Sequence, residues 1–401
     1  MKTLNLIFLL AAVYACSATY SPLSYTERPC GSNLNNLWLD VVAVVDNSVG
    51  MTKGGLDSII ANLQSVFVSA NQARIGTRPN EPRTTRLGLV TYNQVATIKA
   101  DLNKYQSVDD LYSVMPNDIG KVSTSTISTL ETGLSMAEQV LKNGRNDGSN
   151  RGNYKQVALV YASSYSGNGE DTALPVAQRL KADGAKIITV AYGQKDDVAL
   201  IGELSKIASP RFNFTNVDQI KLIPDIQTAL FEANCFCPND WFQYRDVFQN
   251  YLSPPYGSCV QPVGFPANWL SARGSCSRRA PTAHLASEFS QAKHNFIFAA
   301  VQNTTGFTIP YSYHIGLNFN DAGWTWDQPD GWQQPPITGH FDNWRPGYPS
   351  ASPSKSAGLN YQSGANTYWV NEGQLATGAN YVCEMYSCDT ENFCAASDGS
   401  A

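Results

Sequence analysis

Leu37-Trp38-Leu39-Asp40-Val41-Val42-Ala43-Val44-Val45-Asp46-Asn47-Ser48 decides how the first half of this chain is read. Val41 to Val45 is a short, apolar and largely β-branched run, the pattern of a strand buried on both faces in a parallel sheet. Charge and hydroxyl return abruptly where the run stops. In open α/β sheets ligands bind at the carboxyl ends of strands, so Asp46 and Ser48 stand where a binding loop belongs.

Further strands of the same kind follow, at Arg86 to Tyr92, Val157 to Val160 and Lys186 to Tyr192. Between them, apolar residues at helical spacing occupy Leu56 to Ala70, Thr172 to Ala182, Val198 to Ile207 and Val217 to Glu232. Arg78 to Thr85 is a polar, proline-containing loop. The hydroxyl-rich run Ser123 to Thr132 leads into a helix start at Gly133. Strands alternating with helices indicate βαβ units and a doubly wound parallel sheet.

The chain of 401 residues exceeds one ordinary core, so two domains are expected. With 28 Lys and Arg against 33 Asp and Glu, the net charge is −5 and there is no basic block, which argues against a nucleic-acid partner. Lys2 precedes the apolar run Leu4 to Ala15, followed by small residues, the pattern of a secretory signal peptide over about residues 1–18. Cleavage after Ala15, Cys16 or Ala18 fits the pattern. Removing Cys16 leaves eight of the nine cysteines, an even number suited to an oxidising, extracellular compartment. No later apolar run is long enough to span a membrane. Asn213-Phe214-Thr215 and Asn303-Thr304-Thr305 match the N-glycosylation acceptor pattern.

Asp40 to Ser48, Arg86 to Tyr92, Val157 to Tyr161 and Gly184 to Ala191, taken in order, resemble the successive strands of a von Willebrand factor type A domain over about residues 37–232. The resemblance implies a Mg²⁺ or Mn²⁺ site above the sheet, held by a D-x-S-x-S loop, a Thr from a second loop and an Asp from a third. Asp46 and Ser48 match the first two positions, but Gly50 stands at the third. Ser128 aligns with the Thr, with Ser125 or Thr126 as alternatives. Tyr161-Ala162-Ser163-Ser164 offers no acid in the third loop, where the nearest are Glu170 and Asp171. One carboxylate and a few hydroxyls are a poor set for a hard cation. Asp46 and Ser48 are therefore expected to cap the loop by hydrogen bonding.

From Cys235 the composition changes: every Trp except Trp38 lies beyond it. Cys237-Pro238 with Trp241, Asn268 to Cys276, Ala283 to Glu288, Ile315-Gly316-Leu317, Gly323 to Asp327, Phe341 to Pro349 and Tyr381 to Glu384 resemble the ordered landmarks of an α+β C-type lectin-like domain over about residues 237–385, with residues 386–401 as a tail. His314 takes the place of a core aromatic and is read as structural. That family's sugar site holds Ca²⁺ through an E-P-N or Q-P-D tripeptide and a W-N-D motif. Gln328-Pro329-Asp330 falls too early in the chain to serve. The aligned tripeptide is Tyr348-Pro349-Ser350, which keeps the proline without oxygen ligands, and W-N-D becomes Trp369-Val370-Asn371. Tyr348, Pro349, Trp369, Asn371 and Glu372 form the candidate ligand loop. No cofactor is expected, and weak Mg²⁺ or Ca²⁺ binding is the most these remnants allow.

The resemblance further implies a core disulfide Cys276–Cys383 and a hairpin disulfide Cys237–Cys259. Cys388 and Cys394 pair in the tail, and Cys30 with Cys235 would clasp the two ends of the first domain. No catalytic motif stands out. The two domains in this order are similar to secreted nematode-type proteins. That similarity implies a non-catalytic recognition protein of innate immunity binding a glycan or microbial surface, or alternatively an adhesion protein with an extracellular protein partner.

Overall fold

The computed structural model describes residues 27–395, apart from 79, 165–172, 194–197, 218, 352–353 and 377. The expected signal peptide, Glu170, Asp171 and the last residues of the tail lie outside the described residues.

The first half contains β1 (Leu39–Asp46), α1 (Lys53–Phe67), β2 (Arg86–Tyr92), β3 (Ala96–Ala100), α2 (Val108–Ser113), α3 (Met115–Ile119) and α4 (Leu130–Arg145). It continues with β4 (Lys155–Ala162), α5 (Ala173–Ala182), β5 (Lys186–Ala191), α6 (Val198–Ile207), β6 (Asn213–Thr215) and α7 (Gln219–Ala233). The sheet order is β3-β2-β1-β4-β5-β6, with β1 central and parallel to both neighbours. Every residue of β1 is buried, because helices cover both faces.

Two strands escape the hydrophobic reading. β3 pairs antiparallel to β2, so the sheet is mixed at that edge rather than wholly parallel. Its three central residues, Thr97, Ile98 and Lys99, are exposed, as suits an edge strand with one neighbour. β6 is only three residues long and carries the Asn213 sequon. Helix α1 begins earlier than its apolar spacing suggests because the Thr52 hydroxyl accepts the Gly55 N–H at 3.1 Å and caps it.

The second half holds β7 (Phe242–Gln243), β8 (Ser258–Ala267), α8 (Trp269–Ser277), β9 (His284–Leu285), α9 (Gln291–Gln302), β10 (Ser312–Asn320) and β11 (Gly323–Trp326), then β12 (Ala357–Ser363), β13 (Asn366–Glu372) and β14 (Ala379–Tyr386). Its sheet runs β13-β12-β10-β14-β8-β7, with β11 on β10 and β9 on β14. β14 extends through Tyr386, so the tail starts later than expected. Disulfide bonds join Cys30 to Cys235, Cys237 to Cys259, Cys276 to Cys383 and Cys388 to Cys394.

The halves pack directly on one another. Trp38 meets Tyr154, Phe236 and Phe393 edge-on at 5.3, 5.5 and 4.8 Å, and its indole N–H donates to the Asp389 carbonyl at 2.9 Å. Phe236 and Cys388 exchange backbone hydrogen bonds at 3.0 and 2.8 Å. The strap at residues 27–31 crosses to the second half, where Arg28 pairs with Asp389 at 2.6 Å and Lys293 bridges Glu27 and Glu384 at 2.8 and 2.5 Å. Gly257 is needed where that strap passes, since a Cβ there would lie 2.4 Å from the Pro29 carbonyl.

Candidate functional site

At the carboxyl end of β1, Asp46 is fully buried. Its Oδ1 accepts the Ser48 N–H at 2.8 Å, and its Oδ2 accepts the Ser128 hydroxyl at 3.0 Å and both the N–H and hydroxyl of Ser163 at 3.1 and 2.6 Å. A carboxylate offers about four acceptor positions, so these donors saturate it. Ser48 and Ser128 are each 1% exposed. Tyr92 lies beside them, and burial, with Asp46 adding to it, raises its phenol well above the ordinary value. Gly133 admits this ring, since a Cβ there would stand 2.9 Å from it.

Ser163 is the participant that sequence reasoning missed. The third loop offers no acid among Tyr161 to Ser164, yet a hydroxyl stands there in the sequence. A Cβ on Gly50 would lie 3.0 Å from Ser163 Oγ, so the missing third side chain and the Ser163 hydroxyl converge on the same space. Among the described residues no three His, Cys, Asp or Glu side chains gather as a metal-binding group. One buried carboxylate with its lone pairs committed does not fit a hard divalent cation, which needs several free oxygens and compensating charge.

The candidate loop of the second half is also committed to its own structure. Tyr348-Pro349 is a cis peptide. Asn371 is 4% exposed, its Oδ1 accepts the Ser350 N–H at 2.7 Å, and its Nδ2 donates to the Ser350 and Lys355 carbonyls at 3.0 and 2.8 Å. The amide thus closes the loop, with its oxygen turned to the Ser350 N–H and its nitrogen to two carbonyls. Trp369 must be corrected as a candidate contact: its ring is fully buried and its N–H donates to Glu288 at 2.6 Å. Of the five candidate residues, Tyr348, Pro349 and Glu372 remain accessible to a ligand at this loop. Burial raises the Glu372 carboxyl, which lies 3.6 Å from His314 Nε2. Burial pushes His314 down to about 4, as fits its place in the core. Asp330, of the early Q-P-D match, pairs with Arg273 at 2.8 Å.

Behind this loop lies a buried polar network without a clear sequence signal. Glu288 accepts from His294 Nδ1 at 2.8 Å and from the Asn360 amide at 2.8 Å as well as from Trp369. Burial alone would raise Glu288, but the His294 charge and these donors hold it below its ordinary value. Burial likewise opposes a charge on His294, yet Glu288 raises it. The pair anchors Trp369 and so the strand carrying Asn371. Of the two sequons, Asn213 is half-buried in β6 with its amide donating to the Ile201 carbonyl at 3.0 Å, whereas Asn303 is exposed at the end of α9.

Residues 40–229 match the family model of the von Willebrand factor type A domain. C-type lectin domain-containing protein 160 of Caenorhabditis elegans is 26% identical over 403 residues, covering 95% of this chain. The chain spans 60% of that relative's length. Among solved structures, proximal thread matrix protein 1 from the mussel byssus, with a zinc occupied MIDAS motif, is 18% identical with a TM-score of 0.38, over 50% of this chain and 48% of its own. Human lithostathine is 18% identical with a TM-score of 0.29, over 37% of this chain and 90% of its own. Residues 40–229 are thus similar to the von Willebrand factor type A domain, and the chain as a whole to a C-type lectin domain-containing protein.

Proposed function

We propose that the protein is a secreted, non-catalytic recognition protein of innate immunity that binds carbohydrate or microbial surfaces without calcium coordination. Its division would be a signal peptide at residues 1–18, an A-type domain at 37–232, a lectin-like domain at 237–385 and a tail, with Asn303 the better presented glycan acceptor. One observation carries this reading: at both strand-end loops where such folds hold cations, the oxygens of Asp46 and Asn371 are engaged in hydrogen bonds within the chain. Recognition then falls to surface aromatics and amides, which need no metal. Four disulfides and the lack, among the described residues, of any helix long and apolar enough to cross a membrane are consistent with an extracellular setting.

The test is a pull-down of the full chain on immobilised glycans and on whole bacteria, with and without chelator. Binding that persists in chelator is the expected result, and an absence of binding to every glycan and microbe would overturn the reading. A second reading, adhesion to an extracellular protein through the A-type domain, draws on the convergence of Ser48, Ser128 and Ser163 on Asp46 at the usual ligand end of the sheet. It predicts binding to a matrix protein that Asp46→Ala weakens.

A further inference from the structure

An open groove of about 640 Å³ lies in the second half, between the start of α8, the β10–β11 hairpin and the loop that follows β11. That volume falls within the roughly 300–1,000 Å³ typical of small-ligand clefts. None of Tyr348, Pro349, Asn371 and Glu372 lines it. Its lining is dominated by carboxamides, with an exposed indole at the rim.

Trp332 is 52% exposed and is held edge-on against Tyr386 with ring centroids 5.5 Å apart. Beside it Leu270, 48% exposed, adds apolar surface. The amides are oriented. Gln334 Oε1 accepts from Asn320 Nδ2 at 3.0 Å and from Thr325 Oγ1 at 3.1 Å, which leaves its amide N–H groups to donate elsewhere. The side-chain amides of Gln333 and Gln374 have no hydrogen-bonding partner among the described residues. The Gln374 carbonyl accepts the Leu270 N–H at 3.2 Å, tying its turn to the helix. The one cation of the lining, Arg273, is matched by Asp327 at 2.7 Å and Asp330 at 2.8 Å.

A groove with neutralised charge, many oriented amide donors and acceptors, and an exposed indole suits a ligand rich in hydroxyls that also presents an apolar C–H face. An anionic or strongly apolar ligand would find neither a free cation nor an enclosed pocket. We propose that this groove binds a neutral oligosaccharide, with Trp332 as the stacking platform and Gln333, Gln334 and Gln374 reading the hydroxyls. The proposal rests on the carbohydrate reading above and adds its location and ligand class.

The test uses the full-length protein in chelator on an array of neutral, sialylated and sulfated oligosaccharides, followed by calorimetry with the neutral oligosaccharide bound most strongly. Trp332→Ala is expected to weaken binding by about tenfold or more, since an exposed stacking ring contributes on that scale. The double variant Gln333→Ala/Gln374→Ala should weaken it as well, and Tyr348→Ala should leave it unchanged. Should Trp332→Ala melt early, the double variant decides, because both of its side chains lie free of partners. Loss of binding in Tyr348→Ala with full binding in the groove variants would overturn the groove and leave the carbohydrate reading standing. Capture of anionic glycans alone would do the same. No binding by the unaltered chain would remove both.

Discussion

Strand β1 carries a carboxylate at each end, and the two are satisfied in opposite ways. Asp40, at the start, is 1% exposed and receives Arg86 through two hydrogen bonds at 2.9 and 2.6 Å and Arg151 through one at 2.9 Å. Asp46, at the other end, meets among the described residues neutral donors, the hydroxyls and N–H groups of serines. Glu27, on the strap, falls between them: it shares the single cation of Lys293 with Glu384. A buried carboxylate with two cations, a share of one, or none should differ in what its removal costs and in its response to protons and metal.

Asp40→Ala should have the largest effect. It leaves the buried guanidiniums of Arg86 and Arg151 without their shared partner, a loss of about 3–5 kcal/mol when one member of a buried ion pair is removed. A denaturant titration reads this as a lowered midpoint with unchanged slope. A loss below 1 kcal/mol would mean that Asp147, 2.6 Å from Arg86, suffices alone and that Asp40 resembles Asp46 after all.

Glu27 should show itself through pH. Burial is the main cause that raises its carboxyl from 4.5 to about 7, against the lowering effect of Lys293. The folded chain thus keeps this proton up to about pH 7, while the unfolded chain releases it near 4.5. Its contribution is complete below pH 4.5 and is lost as pH rises through about 7. Thermal melting from pH 5 to 8 should therefore slope downward more steeply in the natural chain than in Glu27→Gln. Equal slopes would show that Lys293 fully balances both carboxylates.

Asp46→Ala should cost less than Asp40→Ala, about 1–3 kcal/mol, because the orphaned groups are neutral N–H and O–H donors near a loop. The smallest effect expected is that of Mg²⁺ on the natural chain, with no shift of the melting temperature at millimolar concentration. Ser163→Asp sharpens the contrast. It places a second carboxylate against Asp46, so the variant should be less stable than the natural chain in chelator and regain stability when Mg²⁺ is added. A clear Mg²⁺ stabilisation of the natural chain would break the comparison at its weaker end.

Much of the frame was legible in residues. The buried runs of β1, β2, β4 and β5 announce themselves because strands covered on both faces must be apolar throughout. β3 and β6 do not, because edge strands are short and need only one neighbour. Asp46, Ser48 and Ser128 are visible as loop residues, whereas Ser163 carries no such signal because its position calls for an acid and its hydroxyl matters only through contact with Asp46. Trp369 and Asn371 stand in the candidate loop by sequence, but a sequence does not distinguish a side chain facing a ligand from one holding its own loop.

By itself the sequence determined the fold of each half and the impoverishment of both cation loops, because burial patterning and the loss of oxygen side chains are local properties of the chain. The tertiary structure alone decided how the remaining groups are used. Proximity across long stretches of chain gave Asp46 its serine donors and Trp369 its Glu288. It made Trp38, the lone tryptophan of the first half, the aromatic anchor between the halves, and it lined one groove with amides drawn from β10 and the loops beyond β11 and β13.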